Sequence, residues 1–288
     1  MSTIIAVKGP EGIVLASESR RVLCVSDPRE LGASGAREYM TWDGDMKLLA
    51  FEGESHRWVG IALYGVLSNS VESLPLIASE IEGSLPSHRL PVSEYANLLS
   101  DLLVQRAKRP APIPFTMSAI VAGYDDGVPE GRVFVVEVPA SPEPVEHHAG
   151  TVGLTYGGQR DIIDRILQGY DSLLSVEDAD TRTAVQTPLP LATMSLPKCL
   201  FLATLLLNTT IAVQGLVDGL TLQGSAGPLD VAVITAADGL RFVQRKKYEP
   251  FGPKSPVEMR RYDTSVRPAI VTAAPADIAR MARYTVRV

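Results

Sequence analysis

Short apolar runs alternate along the chain with longer segments in which apolar residues recur at helical spacing. Four short runs near the start are typical of strands, at residues 3–8, 13–17, 47–51 and 58–64. Later runs of the same kind are "TMSAIVAGYDD", "RVFVVEV", a stretch around residues 145–152, "LDVAVIT" and "LRFVQ". Turn residues separate many of them, as in Gly9-Pro10-Glu11-Gly12. The pattern predicts strands at the start, in the middle and near the end of the chain.

Helical spacing predicts four helices between these strands. The first covers residues 68–82, and the second, capped near Ser93, carries "EYANLLSDLLVQRAKR" until Pro110. A third fits "GGQRDIIDRILQGYDSLL", and the fourth is the long apolar segment at residues 199–217. Residues 175–197 are rich in Asp, Thr and Pro and are predicted to form a loop, with a helical piece inside it as the alternative. We see no internal repeat.

The fourth helix needs a membrane check, because "CLFLATLLLNTTIAVQGLV" is uncharged over 19 residues. It contains Asn208, Thr209, Thr210 and Gln214, and nothing elsewhere in the sequence resembles a second span. Its length is marginal for crossing a bilayer. We therefore interpret it as a helix buried between a sheet and a neighbour, and we expect no membrane partner.

Strands in blocks, followed by helices and then more strands, predict an α+β fold. Several strands are apolar on both faces, so each sheet needs a cover on both sides. Two antiparallel sheets packed together, with helices outside, supply that cover. The expected architecture is a four-layer αββα sandwich of two antiparallel sheets flanked by helices.

Composition narrows the functional classes. The net charge is −6 and the isoelectric point is about 5.3, which argues against nucleic acid as the main partner. Cys24 and Cys199 are far apart and outside any CxxC pattern, so we expect a reducing compartment and no cysteine-based metal site. No secretory signal is visible, and the expected location is the cytoplasm. His147-His148 has no third ligand at a useful spacing, so no metal and no cofactor are expected.

The opening hairpin suggests chemistry at its free end. A three-residue loop at Gly9, Pro10 and Glu11 would pair Lys8 with Gly12 and, further along, Ser2 with Glu18. A serine hydroxyl, a terminal amine freed by loss of Met1 and a carboxylate would then lie together. The amine, with a pKa of about 7.7–8.0, can act as a base for the hydroxyl. The alternative interpretation is a disordered terminal serine and a surface carboxylate.

Four segments together resemble the β-type subunits of proteasomes, including bacterial HslV and Anbu-like relatives. The first is "STIIAVKGPEGIVLASESRR", with Ala16-Ser17-Glu18 sixteen residues after Ser2 as the family's Ala-x-Asp/Glu. The others are "DMKLLAFEG", "VGIALYGVLSNSVES" and "GSAGPLDVAVIT", and "GLTYGGQRDIIDRI" also resembles a family segment. The resemblance covers residues 2–243 and implies the N-terminal nucleophile hydrolase fold.

The resemblance also implies roles for individual residues. Ser2 would be the nucleophile and its amine the base, Lys47 would lower their proton affinity, and Glu18 would hold Lys47. The Ala62 backbone N–H would stabilise the oxyanion. Ser225, in the "GSAG" turn, would assist catalysis. The alternative interpretation is that Ser225 is only a turn residue.

Several family features differ here. Serine replaces the usual threonine, the assisting aspartate falls on Leu222 with Asp218 one helical turn earlier, and the assisting serine falls on Tyr156 or a glycine. The loop before Lys47 is longer than the family's. The hydrogen-bond support around the amine is therefore expected to be thinner than in the family.

The sequence thus predicts a proteasome-like peptidase domain at residues 2–245 and a C-terminal extension at residues 246–288. The expected partners are a polypeptide substrate and other copies of the chain in a ring, with any ATPase partner left open. Two alternatives remain: a catalytically inactive ring subunit of the same fold, and a small-molecule amidase of the same superfamily. We also expect Met1 to be removed during synthesis without a self-cleavage step.

Overall fold

The computed structural model describes residues 2–24, 36–66, 74–110, 115–169, 186–217, 225–246 and 258–263. Within these ranges the chain is a mixed α+β structure with antiparallel sheets. Its strands are β1 (Thr3–Lys8), β2 (Ile13–Ser17), β3 (Arg21–Cys24), β4 (Ala36–Trp42), β5 (Leu48–Ala50), β6 (Val59–Val66), β7 (Thr116–Tyr124), β8 (Gly131–Val138), β9 (Ser141–His147), β10 (Gly153–Gly158), β11 (Asp230–Thr235), β12 (Gly239–Gln244) and β13 (Glu258–Asp263). Its helices are α1 (Leu74–Ser84), α2 (Val92–Ala107), α3 (Asp161–Gln168) and α4 (Leu196–Val217), and two 3-10 turns lie at Glu54–His56 and Leu191–Thr193.

The strands form two five-stranded antiparallel sheets and one smaller sheet. The first sheet has the order β10-β1-β2-β11-β12, and the second runs β5-β6-β7-β8-β9 in chain order. The third joins β13, β4 and β3. The open end of the β1–β2 hairpin therefore lies in the middle of the first sheet, between β10 and β11.

Three apolar clusters explain why the central strands are apolar on both faces. One cluster joins the two large sheets and includes Ile4, Leu15 and Ala62. A second covers the other face of the first sheet with α3 and α4, and a third covers the other face of the second sheet with α1 and α2. Every residue of β1 and β2 is accordingly buried.

The register of the opening hairpin differs from the predicted one by a single residue. Lys8 pairs with Ile13, and the turn holds four residues, closed by Gly9 N donating to Gly12 O at 2.9 Å. A one-residue slip moves a strand's side chains to the opposite face. Ile13 and Leu15 consequently share the inter-sheet core with Ile4, which the predicted register had separated from them.

Two regions that the sequence left without strands contain them. The long loop before Lys47 holds β3 and β4, and the predicted C-terminal extension holds β13, which pairs with β4 from Glu258↔Thr41 to Asp263↔Ala36. The boundary at residue 245 thus separates two strands of one sheet.

Smaller differences concern element ends. The second helix begins at Val92 after an N-cap at Pro91, two positions before the cap predicted near Ser93. The strand expected around residues 145–152 is β9, which ends at His147, and β10 follows it. The residues of the predicted loop at 175–185 lie outside the described ranges, as does the start of the first helix at 68–73.

Helix α4 is long and apolar enough to cross a membrane by length and composition, with a mean hydropathy of 1.7 over Leu196–Leu216. The core helix of a soluble protein passes the same test. One face of α4 packs against the first sheet through Leu202, Ala203 and Leu206. Its opposite face leaves Phe201 and Leu216 exposed.

Candidate active site

The chain enters β1 through Ser2, which the backbone of β10 fixes. Ser2 O accepts a hydrogen bond from Gln159 N at 2.8 Å. Gly158 lies beside it with φ +88°, and a Cβ at Gly158 would collide with Ser2 O. Only glycine meets both demands at this position. The position of Ser2 is therefore set by main-chain contacts, and its side chain makes no hydrogen bond to another described residue.

Glu18 lies opposite Thr3, whereas the sequence predicted Ser2 as its partner. Glu18 N donates to Thr3 O at 3.3 Å, and Thr3 N donates to Glu18 Oε1 at 3.2 Å. This pairing continues the register in which Ile4 faces Ser17. The predicted direct opposition of Ser2 and Glu18 is wrong, because the turn contains one residue more than expected. The carboxylate still reaches the peptide nitrogen that follows Ser2.

The Glu18 carboxylate is fully buried and well supplied with donors. Oε1 accepts from Thr3 N and from the Lys47 ammonium. Oε2 accepts from Arg20 N at 2.6 Å and from Ala226 N at 3.3 Å. Backbone N–H groups and an ammonium are the partners that stabilise a buried carboxylate. Glu18 is thus a fixed anion at the open end of the hairpin.

Lys47 lies just before β5, and its side chain is buried against Glu18. Its ammonium also donates to Arg20 O at 2.5 Å. Two further ion pairs join the residues after Glu18 to the segment before Lys47: Arg20 with Asp43 at 2.7 Å and Arg21 with Asp45 at 3.0 Å. Because Glu18 Oε1 contacts both Thr3 N and Lys47, the lysine is one carboxylate oxygen away from the start of β1. The structure brings Ser2, Glu18 and Lys47 into one region.

Ser225 contacts Thr3 instead of Ser2. The hydroxyls of Thr3 and Ser225 share a hydrogen bond at 2.5 Å, and both side chains are buried. Thr3 Oγ1 also donates to Gln159 O at 3.3 Å. Ser225 therefore stabilises the start of β1 through Thr3. Asp218 and Leu222, the alternatives for an assisting carboxylate, lie outside the described residues.

Ala62 lies in the middle of β6, between β5 and β7. It pairs with Leu48 on one side and with Ile120 on the other. Leu63 N donates to Lys47 O at 2.9 Å, toward β5. Successive N–H groups alternate in direction along an antiparallel strand, so the Ala62 N–H is directed to β7. It belongs to the sheet ladder, and the geometry gives no support to the predicted oxyanion contact.

Tyr64 is a residue of this region that the sequence did not indicate. It packs, partly buried, against the core between the sheets. A Cβ at Gly157 would lie 2.5 Å from Tyr64 Cε1 and 2.7 Å from its Oη. The family's assisting serine was expected at Tyr156 or a glycine. Tyr156 instead donates to Asp164 Oδ1 at 2.5 Å, beside α3, and the tyrosine ring of residue 64 fills the space next to Gly157.

A second buried ion pair lies beside Glu18 and was also missed. Lys246 donates to Asp230 Oδ2 at 2.7 Å and to Ser19 Oγ at 2.5 Å. Asp230 belongs to the "GSAGPLDVAV" segment that carries part of the resemblance. That position was a visible signal for the aspartate, but nothing in the sequence marks Lys246 as buried.

Among the described residues, no group of three or more His, Cys, Asp or Glu side chains is arranged to hold a metal ion. The rings of His147 and His148 are 6.0 Å apart, and His147 Nδ1 contacts Thr155 Oγ1 at 3.4 Å. The expectation that the protein needs no cofactor stays a prediction.

No protein-family model matches the chain, and no curated protein matches it in sequence. The residues and the geometry around Glu18 are therefore the basis for assigning a function.

Proposed function

We propose that this chain is an N-terminal nucleophile hydrolase of the proteasome β-type kind, with Ser2 as its nucleophile once Met1 has been removed. The observation that carries the proposal is the run of hydrogen bonds from Thr3 N through Glu18 Oε1 to the Lys47 ammonium. It joins the residue after Ser2 to a buried carboxylate and a buried ammonium. A positive charge near an amine and a hydroxyl lowers their proton affinity, which helps an amine-assisted serine to react.

Accessibility favours Ser2 over Thr3 as the nucleophile. Thr3 has no exposed surface, whereas 8% of Ser2 is exposed. The Thr3 hydroxyl is also engaged with Ser225. Its nitrogen is a peptide N–H that donates to Glu18, so Thr3 has no amine of its own to act as a base. Of these two residues, only Ser2 therefore has surface that a substrate can reach.

In the proposed reaction the Ser2 Oγ attacks the carbonyl carbon of a peptide bond, and the α-amine takes the Oγ proton. The amine then gives that proton to the leaving nitrogen as the C–N bond breaks, and water hydrolyses the resulting ester. Lys47 stabilises the developing negative charge on Oγ, and Glu18 offsets the lysine charge. The Ala62 N–H is directed into the sheet ladder, so the geometry gives no support to its predicted role in stabilising the oxyanion.

We also propose a specific fold, the four-layer αββα sandwich of N-terminal nucleophile hydrolases. Two five-stranded antiparallel sheets share a core, and α1 with α2 and α3 with α4 cover their outer faces. This layering supports the four-layer αββα sandwich that the resemblance implies. The resemblance further implies a cytoplasmic homo-oligomeric ring that encloses the site and takes polypeptide substrates. The exposed apolar residues Phe201, Leu205 and Leu216 on α4 are compatible with contacts to a neighbouring subunit.

One observation favours a catalytically inactive ring subunit of the same fold. Among the described residues, the Ser2 hydroxyl accepts and donates no hydrogen bond. The fold and the Glu18–Lys47 pair would then serve only to hold β1 in its sheet. The small-molecule amidase differs from the peptidase in substrate alone, so comparing hydrolysis of an unfolded protein with that of small amides separates them.

The decisive experiment combines intact-mass measurement with labelling by an electrophile selective for N-terminal nucleophiles. We expect loss of Met1 and a label on Ser2, with hydrolysis of an unfolded protein. Ser2→Ala, Glu18→Ala and Lys47→Ala should each abolish labelling and hydrolysis. Light scattering at micromolar concentration should show an assembly of many subunits that persists in Ser2→Ala.

The proposal is overturned if Ser2→Ala keeps full peptidase activity. Uniform retention of Met1 in the native host would leave Ser2 without a basic amine, and the inactive subunit would then be the better interpretation. A monomer or simple dimer by light scattering would contradict the ring.

A further inference from the structure

Lys246 lies two residues after the end of β12, and its side chain is buried near Glu18. Its ammonium donates to Asp230 Oδ2 at 2.7 Å and to Ser19 Oγ at 2.5 Å. Its backbone N donates to Asp230 Oδ1 at 2.9 Å, so both carboxylate oxygens of Asp230 accept hydrogen bonds from Lys246. Only 5% of the Lys246 side chain and 1% of the Asp230 side chain are exposed.

A buried lysine in this position is costly. Burial lowers the pKa of Lys246, and repulsion from Lys47 lowers it further, while Asp230 and Glu18 oppose the shift. The positive charge of Lys47 thus adds to the cost of charging Lys246. Replacing a buried ion pair with apolar residues is often neutral or stabilising, so the need for stability alone does not explain two such pairs side by side.

The hydrogen bonds connect Lys246 to the Glu18 carboxylate in a few steps. Ser19, which Lys246 contacts, directly follows Glu18 in the chain and donates its N–H to Ala226 O at 3.0 Å. Ala226 N in turn donates to Glu18 Oε2 at 3.3 Å. Asp45 N donates to Ser19 O at 3.0 Å, which ties the segment before Lys47 to the same residue. Both sides of the Glu18–Lys47 pair thus meet at Ser19.

We propose that Lys246 is a positioning residue of the hydrolase site: its ammonium, held by Asp230, fixes Ser19 and the Ala226 backbone against Glu18 and adds positive charge beside Lys47. This inference rests on the proposed function of Ser2. It also makes the first residue of the predicted C-terminal extension part of the site wall. Lys246 acts through Glu18 and Lys47 and does not touch the reacting atoms.

The test measures the rate and pH dependence of Ser2 labelling in the full chain for the wild type and Lys246→Met. We expect labelling to slow by roughly 10- to 100-fold, because a small displacement of a catalytic constellation has effects of this size. Loss of the positive charge also makes the terminal amine hold its proton more tightly. The labelling profile should therefore move to higher pH by about half a unit. A purely structural role would not move the profile.

Three further variants complete the design. Lys246→Arg keeps the charge and should recover the pH profile. Ser19→Ala removes the link, together with the hydrogen bond from Ser19 Oγ to Pro228 O, while keeping the Lys246–Asp230 pair, so it tests the inference even where Lys246→Met fails to fold. Lys8→Met is the matched control, because Lys8 is another buried lysine paired with a carboxylate, Glu130, at the far end of the hairpin. It should leave labelling unchanged.

The outcomes separate the inference from the proposed function. If the wild type labels on Ser2 and the Lys246 and Ser19 variants label at the same rate and pH, the inference is overturned and the hydrolase stands. If folded wild type with a free Ser2 does not label at all, the proposed function fails and takes the inference with it. Equal slowing by Lys8→Met would also overturn the inference, since the effect would then be general to buried lysines.

Discussion

The two ends of the β1–β2 hairpin each bury a lysine, but they surround it differently. At the turn end, Lys8 contacts Glu130, whose side chain is 49% exposed, and donates to His148 O at 2.8 Å. At the open end, Lys47 contacts Glu18, which has no exposed surface at all. Proximity to Lys8 lowers the pKa of Glu130, as expected for a carboxylate at the surface that gains a cation. One pair stays in contact with water, and the other is withdrawn from it.

The two ion pairs differ in how much free energy their burial costs. Moving both charges of a pair out of water costs several kcal/mol per ion, roughly, before their attraction is counted. The turn end lowers that cost by leaving the Glu130 side chain half exposed. The open end accepts it twice, at Glu18–Lys47 and at Asp230–Lys246. This concentration of buried charge at one end of the hairpin supports the site proposed there.

The largest expected effect contrasts the two carboxylates. Glu18→Gln leaves the buried Lys47 ammonium without its anion, and we expect a loss of about 3–5 kcal/mol in the free energy of unfolding. Glu130→Gln should lower it by less, because that carboxylate is half exposed and the Lys8 ammonium keeps His148 O as an acceptor. Urea unfolding of both variants at pH 7 measures the contrast. Equal losses would show that the two ends are energetically alike.

The next effect concerns two glycines with positive φ, one near each end of the hairpin. At the open end, a Cβ at Gly158 would collide with Ser2 O, whereas Gly150, in the turn after His148, has φ +69° and open space around it. Gly150→Ala should cost about 1 kcal/mol from backbone strain alone, and Gly158→Ala about 2–4 kcal/mol. Thermal unfolding of the two variants measures the difference. A Gly158→Ala protein as stable as Gly150→Ala would mean that Ser2 is not held as described.

A smaller effect separates the two hydroxyls at the open end. Thr3→Val removes the hydrogen bond to Ser225 and leaves a buried hydroxyl unpaired, at a cost of about 1–2 kcal/mol. The label on Ser2 should persist, because Thr3 supports β1 and does not react. Ser225→Ala should cost a similar amount, and the double variant should cost less than the sum. Loss of labelling in a folded Thr3→Val protein would point to Thr3.

The sequence was sufficient for most strands of the two large sheets, because each is a short apolar run between turn residues. It could not decide the hairpin register. Both faces of β1 and β2 are buried, so sliding one strand by a residue leaves an equally apolar pattern. The predicted opposition of Ser2 and Glu18 failed for that reason, while their general proximity did not depend on it.

The strands and the ion pair that the sequence did not predict depend on contacts between residues that are distant in the chain. Strand β13, "EMRRYD", is charged and pairs with β4, which is distant in the chain, so neither has a local signal. Lys246 and Asp230 come together from two strand ends of one hairpin, and a lysine in a sequence gives no sign of burial. Charge pairing of this kind depends on tertiary packing, which hydrophobic periodicity does not report.

The smallest expected effect returns to the turn end, where His147 lies beside β10. Burial lowers the pKa of His147, and His148 lowers it further, while Glu137 opposes the shift. Below pH about 6.5 the unfolded chain therefore takes up a proton that the folded protein resists. Stability should fall between that pH and the lower folded pKa, and His147→Gln should remove this part of the fall. Urea unfolding at pH 7.5 and pH 5 compares wild type, His147→Gln and His88→Gln, the last being a control at an exposed histidine. If wild type and His147→Gln lose stability equally on acidification, the acid sensitivity does not arise at His147. The buried charges at the open end would then be the place to look for its origin.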